Sequence, residues 1–212
     1  MQERKMKVVI PGGSGQLGQV LVRSLREQGH EVVILSRSGS GRGGVVWDGR
    51  TLGPWAHELD GADAVVNLAG RTVNCRYTEN NLREMMDSRV ESTRVIGEAI
   101  GRCKKPPKVW LQMSTATIYA HTFGEANDEA TGRMGGDERD APGYWRLSID
   151  IAKAWERAIE EAKTPNTRKV IMRTAVVMSA LPGGAFEILR RLASVGLGGS
   201  IGGGRQYMSW MH

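Results

Sequence analysis

The stretch that decides the fold is Val8-Val9-Ile10-Pro11-Gly12-Gly13-Ser14-Gly15-Gln16-Leu17-Gly18, an apolar run followed by a glycine-rich turn. Apolar residues at helical spacing continue from Leu17 to Leu25. The sequence therefore predicts a first strand, a tight turn and a first helix. In a doubly wound parallel sheet, a turn of this kind binds the pyrophosphate of a dinucleotide, and the N–H groups of the helix N-terminus contact the phosphates.

The glycines of this turn have separate roles in such a site. They permit the tight turn, let the backbone approach the pyrophosphate and let the helix pack against the strand. The spacing alone also fits an ordinary strand-to-helix turn, but its position between a strand and a helix favours cofactor binding. The predicted cofactor contacts are Gly12, Gly13, Ser14, Gly15, Gln16, Leu17 and Gly18.

The end of the second predicted strand bears on which dinucleotide is bound. Glu31–Leu35 is typical of a buried parallel strand, and Ser36-Arg37-Ser38 follows it, with Arg42 shortly after. An enzyme that uses NAD usually has an acidic residue here to bind the ribose hydroxyls, whereas an arginine can pair with a 2′-phosphate. Ser36, Arg37 and Ser38 are therefore predicted cofactor contacts, and NADP(H) is preferred over NAD(H). A basic surface turn is the alternative.

Strands and helices alternate along the chain, which predicts an α/β protein with a Rossmann-type doubly wound parallel sheet and helices on both faces. We expect an NADP(H)-binding domain over residues 1–180. Residues 181–212 are expected to begin a substrate-binding or lid segment that stops short of the natural C-terminus. The predicted strands cover residues 8–10, 31–35, 45–48, 64–68, 108–113 and 169–173, and the later helices cover 79–102, 147–159 and 186–192.

Composition is that of an ordinary soluble domain, with 212 residues, 40% hydrophobic and 25% charged. No apolar run is long enough to span a bilayer, and the charged N-terminus is unlike a signal peptide. Two isolated cysteines, Cys75 and Cys103, and scattered histidines predict a cytoplasmic protein without a metal site. The net charge of +6 is spread along the chain, so we expect no nucleic-acid or membrane partner; homo-oligomer formation is left open.

Several short motifs along the chain resemble the extended short-chain dehydrogenase/reductase superfamily, in particular its atypical nucleoside-diphosphate-sugar epimerase-like branch. The resemblance spans nearly the whole chain and is most specific in its last block. Besides the glycine turn, the motifs are Ser36-Arg37, Trp47-Asp48, Asp63–Gly70, Arg76–Thr78, Asp87–Val90, Ser114–Tyr119, Trp155-Glu156, Arg173–Val177 and Gly196–His212.

The resemblance implies chemistry by a Ser or Thr, a Tyr and a Lys: the tyrosine acts as acid/base, and the lysine lowers its pKa and holds the nicotinamide ribose. Thr115 matches the hydroxyl position, with Ser114 beside it. The Tyr-x-x-x-Lys element is absent, because Ile149 stands four residues before Lys153. Tyr144, in the loop expected before the helix, is the candidate tyrosine.

Further site residues follow from the same resemblance. Tyr119 is a second candidate for the tyrosine. The resemblance adds cofactor contacts at Leu68, Ala69, Gly70, Lys153 and Thr174. Arg205, next to the glycine-rich segment 196–204, would suit an anionic group of a small-molecule substrate.

Two functions of different classes compete. The first is an NADP(H)-dependent oxidoreductase or epimerase-like enzyme that transfers a hydride to or from a carbon bearing a hydroxyl or carbonyl group. The second is a catalytically weak or inactive protein that binds NADP(H) as a redox sensor or scaffold. The missing Tyr-x-x-x-Lys pair favours the second, and the retained Ser114 and Thr115 favour the first.

Overall fold

The computed structural model describes residues 4–139, 143–180, 182, 184–200, 203–204 and 207–212. The strands and helices alternate as the sequence predicts. The strands are β1 Lys7–Pro11, β2 Glu31–Ser36, β3 Gly44–Val46, β4 Ala64–Asn67, β5 Val109–Thr115, β6 Arg168–Thr174, β7 Val176–Val177 and β8 Trp210–Met211. The α-helices are α1 Gln16–Glu27, α2 Glu79–Arg102, α3 Gly143–Glu160 and α4 Ala185–Ser194.

Six strands form one sheet in the order β3-β2-β1-β4-β5-β6, which confirms the predicted doubly wound architecture. The strand pairs from β3 through β5 are parallel. The chain starts in the middle of the sheet, proceeds to one edge through β2 and β3, and then crosses to the other side of β1. The point where the strand order reverses, between β1 and β4, is where open α/β sheets bind their ligands.

Apolar side chains cover both faces of the central strands, which is why β1 and β2 are continuous runs of buried residues. One cluster packs around Ile10 and Ile34 beneath Val22 of α1. The other packs around Trp110, with Ile96 of α2 and Ile159 of α3. The two clusters hold the helices on opposite faces of the sheet.

The chain divides into two compact units. The first unit contains residues 1–114 and 154–172, and the second contains residues 115–153 and 173–212. The sequence predicts a single boundary near residue 180, whereas these units interleave along the chain. Within the second unit, Tyr119 is hydrogen-bonded to Arg173, which lies far away in sequence.

Two elements differ from the sequence prediction. Helix α3 begins at Gly143, about one turn before the predicted start, so Tyr144 lies inside the helix and not in the loop before it. In the second unit, β7 and β8 form a short parallel pair that the sequence did not predict. Strands of two residues are too short to show a period, so only the fold reveals them.

Lys169 of β6 closes the C-terminal end of α3. Its Nζ donates hydrogen bonds to the carbonyl oxygens of Ile159 (2.9 Å), Glu160 (3.0 Å) and Ala162 (3.0 Å). The last carbonyls of a helix have no partner within the helix and carry the negative end of its dipole. A single ammonium group therefore satisfies three acceptors and fastens α3 to the sheet.

We predict that Lys169→Met lowers the free energy of unfolding by about 1–3 kcal/mol, because charge-assisted hydrogen bonds to partly buried carbonyls are lost. Urea unfolding followed by circular dichroism measures this. Lys163→Met removes an exposed lysine near the end of the same helix and is expected to change stability by less than about 0.5 kcal/mol. Equal effects of the two substitutions would contradict the capping role.

Candidate functional site

The glycine turn lies against the end of β4. Gly12 has a φ of 77°, and a Cβ atom there would lie 2.8 Å from backbone atoms of Leu68 and Ala69. A Cβ at Gly18 would lie 2.6 Å from the backbone of Gly13. These two positions exclude any side chain, because real Cβ contacts with backbone are longer than this. The turn and the β4 end therefore form one closely packed edge.

Gly15 is different from these two glycines. It is the N-cap of α1, it is exposed, and a Cβ there would meet only the carbonyl oxygen of Gly12 at 3.3 Å. No acidic side chain lies in the first turn of α1. Because Gly15 has no side chain, an anion can approach the N-terminus of this helix closely. Ser14 beside it is exposed, and Gln16 and Leu17 are half-buried at the start of the helix.

The end of β2 presents an arginine with no protein partner. Ser36 is buried and its hydroxyl accepts a hydrogen bond from Gly39 N (3.1 Å), which fixes the turn. Ser38 contacts Ser40 through their hydroxyls at 2.6 Å. Arg37 is exposed and makes no hydrogen bond or ion pair with any residue that the structure describes. Its guanidinium is free to bind an external anion.

A pocket of about 680 Å³ lies beside this turn, within the first unit. Its walls include Gly13 and Ser14 of the glycine turn, Arg23 and Arg26 of α1, and Ser40. The pocket therefore joins the glycine turn to the segment that follows β2, and its charged side chains are two cations and the carboxylate of Glu27.

The turn after β4 is held by a buried pair of amides. Asn67 Nδ2 donates to Gln112 Oε1 (3.0 Å), and Asn67 Oδ1 accepts from Ala69 N (3.0 Å). Both amide side chains are fully buried. This arrangement fixes the backbone of the predicted cofactor contacts Leu68, Ala69 and Gly70. Neither Asn67 nor Gln112 was singled out in the sequence, because an amide inside an apolar strand shows no pattern of its own.

Arg89 of α2 lies against Gly70. A Cβ at Gly70 would be 3.3 Å from Arg89 Cζ, and the guanidinium stands 5.2 Å from the ring centre of Trp155. Burial lowers the pKa of Arg89, although the nearby Tyr77 opposes this. Arg89 stands in the motif Asp87–Val90, but the sequence analysis assigns it no role, because its contact with the turn after β4 exists only in the folded protein.

Ser114 is tied to a buried carboxyl group. It is 2% exposed, and its Oγ donates a hydrogen bond to Glu156 Oε1 at 2.6 Å. Trp110, Gln112 and Ser114 alternate along β5 and share its buried face. The geometry favours a positioning role for Ser114, in which its hydroxyl joins β5 to α3. Glu156 is a further residue to which the sequence assigned no role.

Thr115 is the last residue of β5, and its side chain is half-buried. Its Oγ1 accepts a hydrogen bond from Thr117 N (3.2 Å) and lies 3.0 Å from Thr117 Oγ1. Because successive strand residues point to opposite faces, Thr115 does not share the buried environment of Ser114. Of the two predicted hydroxyls, Thr115 is the one less enclosed by protein.

The structure does not bring Tyr144 and Lys153 together. Tyr144 is 63% exposed on α3, and nine residues of helix turn through about 900°, which places the two side chains on opposite sides. Ile149, one turn before Lys153, is fully buried. Lys153 is half-buried, with its Nζ 3.2 Å from where a Cβ of Gly136 would lie.

Tyr119, the second candidate tyrosine, has a cationic partner within the second unit. Arg173 Nη1 donates a hydrogen bond to the Tyr119 hydroxyl oxygen (2.9 Å), and the guanidinium stands 5.1 Å from the ring centre. Tyr119 is 9% exposed. The pair joins the segment after β5 to the end of β6, where Thr174, a predicted cofactor contact, is the last strand residue.

Three further predictions concern a substrate contact, metal sites and membrane spans. Arg205, the predicted substrate contact, lies outside the residues that the structure describes. Within the described ranges, no group of three or more His, Cys, Asp and Glu side chains is placed to hold a metal ion. Across those same ranges, every helix is too short or too polar to cross a membrane.

Comparison with known proteins identifies relatives of the whole chain. Human epimerase family protein SDR39U1 is 33% identical over 98% of this chain, and epimerase family protein YfhF of Bacillus subtilis is 30% identical over 98%. The chain spans 66% of the length of each relative, slightly less than two thirds.

Solved structures agree with these relationships. The crystal structure of human SDR39U1 with NADPH matches with a TM-score of 0.83 at 33% identity, over 98% of this chain and 66% of that one. A nucleoside-diphosphate sugar epimerase from Corynebacterium glutamicum matches with a TM-score of 0.77 at 28% identity, over 98% of this chain and 41% of that one.

Residues 8–141, which contain the glycine turn, the β4 end and Thr115, match the NAD dependent epimerase/dehydratase family. This match covers more than half of the chain, and it agrees with the six-stranded sheet and the relatives above. The chain therefore belongs to the NAD dependent epimerase/dehydratase family, in the extended short-chain dehydrogenase/reductase group.

Proposed function

We propose that this protein binds NADP(H) in preference to NAD(H). The observation that carries the proposal is the exposed Arg37, which follows β2 without a protein partner and without a neighbouring carboxylate in Ser36-Arg37-Ser38. A guanidinium in this place suits a 2′-phosphate, whereas an acidic residue would suit a free ribose hydroxyl. The pocket beside the turn adds Arg23, and human SDR39U1 was crystallised with NADPH.

The residues of the first unit fit the rest of such a cofactor. The pyrophosphate would lie at the N-terminus of α1, where Gly15 carries no side chain and the positive end of the helix dipole favours an anion. The absence of a side chain at Gly12 lets this turn lie against the end of β4, and its absence at Gly18 lets α1 pack against Gly13. Leu68, Ala69 and Gly70 would line the neighbouring edge, since Asn67 fixes their backbone.

The reaction we propose is hydride transfer to or from a carbon that bears a hydroxyl or carbonyl group. When bound, NADP(H) would supply or accept the hydride. Thr115 is proposed to donate a hydrogen bond to the substrate oxygen, because it ends β5 at the edge where parallel sheets bind ligands. Ser114 and Glu156 would position β5 and α3 behind it.

Binding of NADP(H) without turnover is the second candidate. It is favoured by the placement of Tyr144 and Lys153 on opposite sides of α3, which leaves no Tyr-x-x-x-Lys pair. A lost proton-transfer group reduces a rate by about 10²–10⁴-fold but leaves cofactor contacts intact. Such a protein would act as a redox sensor or scaffold.

Calorimetric titration with NADPH and NADH, followed by a panel of carbonyl and nucleotide-sugar compounds, tests these proposals. Oxidation of NADPH by a panel member identifies an enzyme, and Thr115→Val is then expected to lower kcat about 10²–10³-fold, with recovery in Thr115→Ser. Tight binding without turnover favours the sensor. Absence of NADPH binding by the folded protein contradicts both.

We predict that Arg37→Ala weakens NADPH binding about 10- to 100-fold and leaves NADH binding within about threefold, because only NADPH carries the 2′-phosphate. Calorimetry with both cofactors measures the two dissociation constants. Arg83→Ala removes an exposed, unpartnered arginine from α2 and serves as the charge control. Equal losses for NADPH and NADH would refute the 2′-phosphate assignment.

We predict that Gly15→Val weakens binding of both cofactors at least about tenfold while the protein stays folded, since the new side chain occupies the approach to α1. Gly18→Ala is expected to lower the free energy of unfolding by about 1–3 kcal/mol, because its Cβ would overlap the Gly13 backbone. Titration and thermal unfolding separate the two effects. Unchanged cofactor affinity in Gly15→Val would remove the glycine turn from the site.

A further inference from the structure

Arg89 is held between two surfaces of the first unit. On one side it contacts Gly70, where an added Cβ would lie 3.3 Å from Cζ and 3.5 Å from Nε. On the other side its guanidinium stands 5.2 Å from the ring centre of Trp155. The Trp155 ring is itself fixed, because its Nε1 donates to Thr93 Oγ1 (3.1 Å). The guanidinium is therefore positioned by its contacts with Gly70 and with the Trp155 ring.

The positive charge of Arg89 has no carboxylate partner in the described part of the chain. Its only hydrogen bond there runs from Nη1 to the carbonyl oxygen of Met85 (2.9 Å). The neighbouring Arg71 shows the contrast, since it pairs with Glu84 and donates to Asn81 Oδ1 (2.9 Å). Burial disfavours the charged form of Arg89 and lowers its pKa. A desolvated cation without a counter-charge gains from an anion supplied by a ligand.

The unused donors of Arg89 remain accessible. Nε and Nη2 make no hydrogen bond in the described chain, and neither atom is among the buried, unpartnered side-chain atoms. They thus offer one edge of the guanidinium, with two parallel N–H groups, to a ligand. This edge is the arrangement that binds two oxygens of a phosphate group together.

The place of Arg89 in the fold indicates which anion it meets. Gly70 follows β4, and the preceding residues Leu68 and Ala69 contact Gly12 of the glycine turn. The guanidinium therefore lies next to the switch point between β1 and β4, on the side of β4. Arg37, by contrast, follows β2 on the other side of β1.

We propose that Arg89 binds the pyrophosphate of the dinucleotide through its free edge, as a second cationic contact separate from Arg37. This assignment rests on the proposed cofactor binding described above. In it, the N-terminus of α1 and Arg89 neutralise the pyrophosphate from two sides, while Arg37 recognises the 2′-phosphate. Arg89 acts equally on NADP(H) and NAD(H), because both contain the pyrophosphate.

Two nucleotide fragments separate the two arginines. ADP-ribose contains the pyrophosphate but no 2′-phosphate, and adenosine 2′-monophosphate contains the 2′-phosphate but no pyrophosphate. We expect Arg89→Met to weaken ADP-ribose, NADPH and NADH about 10- to 100-fold and to leave adenosine 2′-monophosphate within twofold. Arg37→Ala should show the converse pattern, weakening adenosine 2′-monophosphate and sparing ADP-ribose. Calorimetry on the full chain measures all of these affinities.

The control variant is Arg83→Met, which removes an exposed arginine from the same helix and should change no affinity by more than twofold. If Arg89→Met binds ADP-ribose with an affinity within twofold of the unsubstituted protein, the role of Arg89 is refuted, whereas the proposed cofactor binding is not. Failure of the unsubstituted protein to bind NADPH, NADH and ADP-ribose would overturn the proposed cofactor binding as well.

A measurement on the unsubstituted protein covers the case in which Arg89→Met does not fold. The Nε–H resonance of Arg89, assigned by its loss in Arg89→Lys, should shift on titration with ADP-ribose and stay unchanged with adenosine 2′-monophosphate. A resonance that does not respond to saturating ADP-ribose would overturn the proposal. A shift with adenosine 2′-monophosphate alone would assign Arg89 to the 2′-phosphate and would also overturn it.

Discussion

The close approach of the Gly12 backbone to Leu68 and Ala69 is the contact on which the candidate site depends. A Cβ atom at position 12 would lie 2.8 Å from the backbone of Leu68 and Ala69, so only glycine fits. The positive φ of 77° also favours glycine. This close approach connects the ends of β1 and β4, the two strands at which the sheet order reverses. The start of α1 and the turn after β4 consequently share one edge, and any ligand at the switch point meets both.

The cations of the first unit differ in whether a carboxylate of the protein pairs with them. Some cations of the first unit have a counter-charge: Lys7 pairs with Glu58, Arg50 with Glu91 and Arg71 with Glu84. Arg37 and Arg89 have none in the described chain. Surface ion pairs contribute little to stability, so their absence at an exposed arginine is unremarkable by itself. The missing ion pairs of Arg37 and Arg89 matter because of where these arginines lie, on either side of β1 at the edge where such sheets bind ligands.

The hydroxyl-bearing residues that the sequence predicts to be catalytic differ in their surroundings. Ser114 donates a hydrogen bond to Glu156 in the first unit. Thr115 is the last residue of the strand, and its hydroxyl lies near that of Thr117. In the second unit, Tyr119 rather than Tyr144 has a cation at hydrogen-bonding distance, namely Arg173.

The sequence by itself determined the order of strands and helices, the doubly wound sheet and the glycine turn with Arg37 after β2. These features are local: they depend on apolar period, on glycine spacing and on which residue follows a strand. Only the tertiary structure decided that Arg89 contacts Gly70, that Ser114 bonds Glu156, and that Tyr144 and Lys153 lie on opposite sides of one helix. The first two are contacts between residues 19 and 42 positions apart, and no local pattern records them. The placement of Tyr144 and Lys153 depended on where α3 begins. Helix ends are the least certain part of a sequence pattern, because local propensities there are weak and tertiary packing determines where the helix starts.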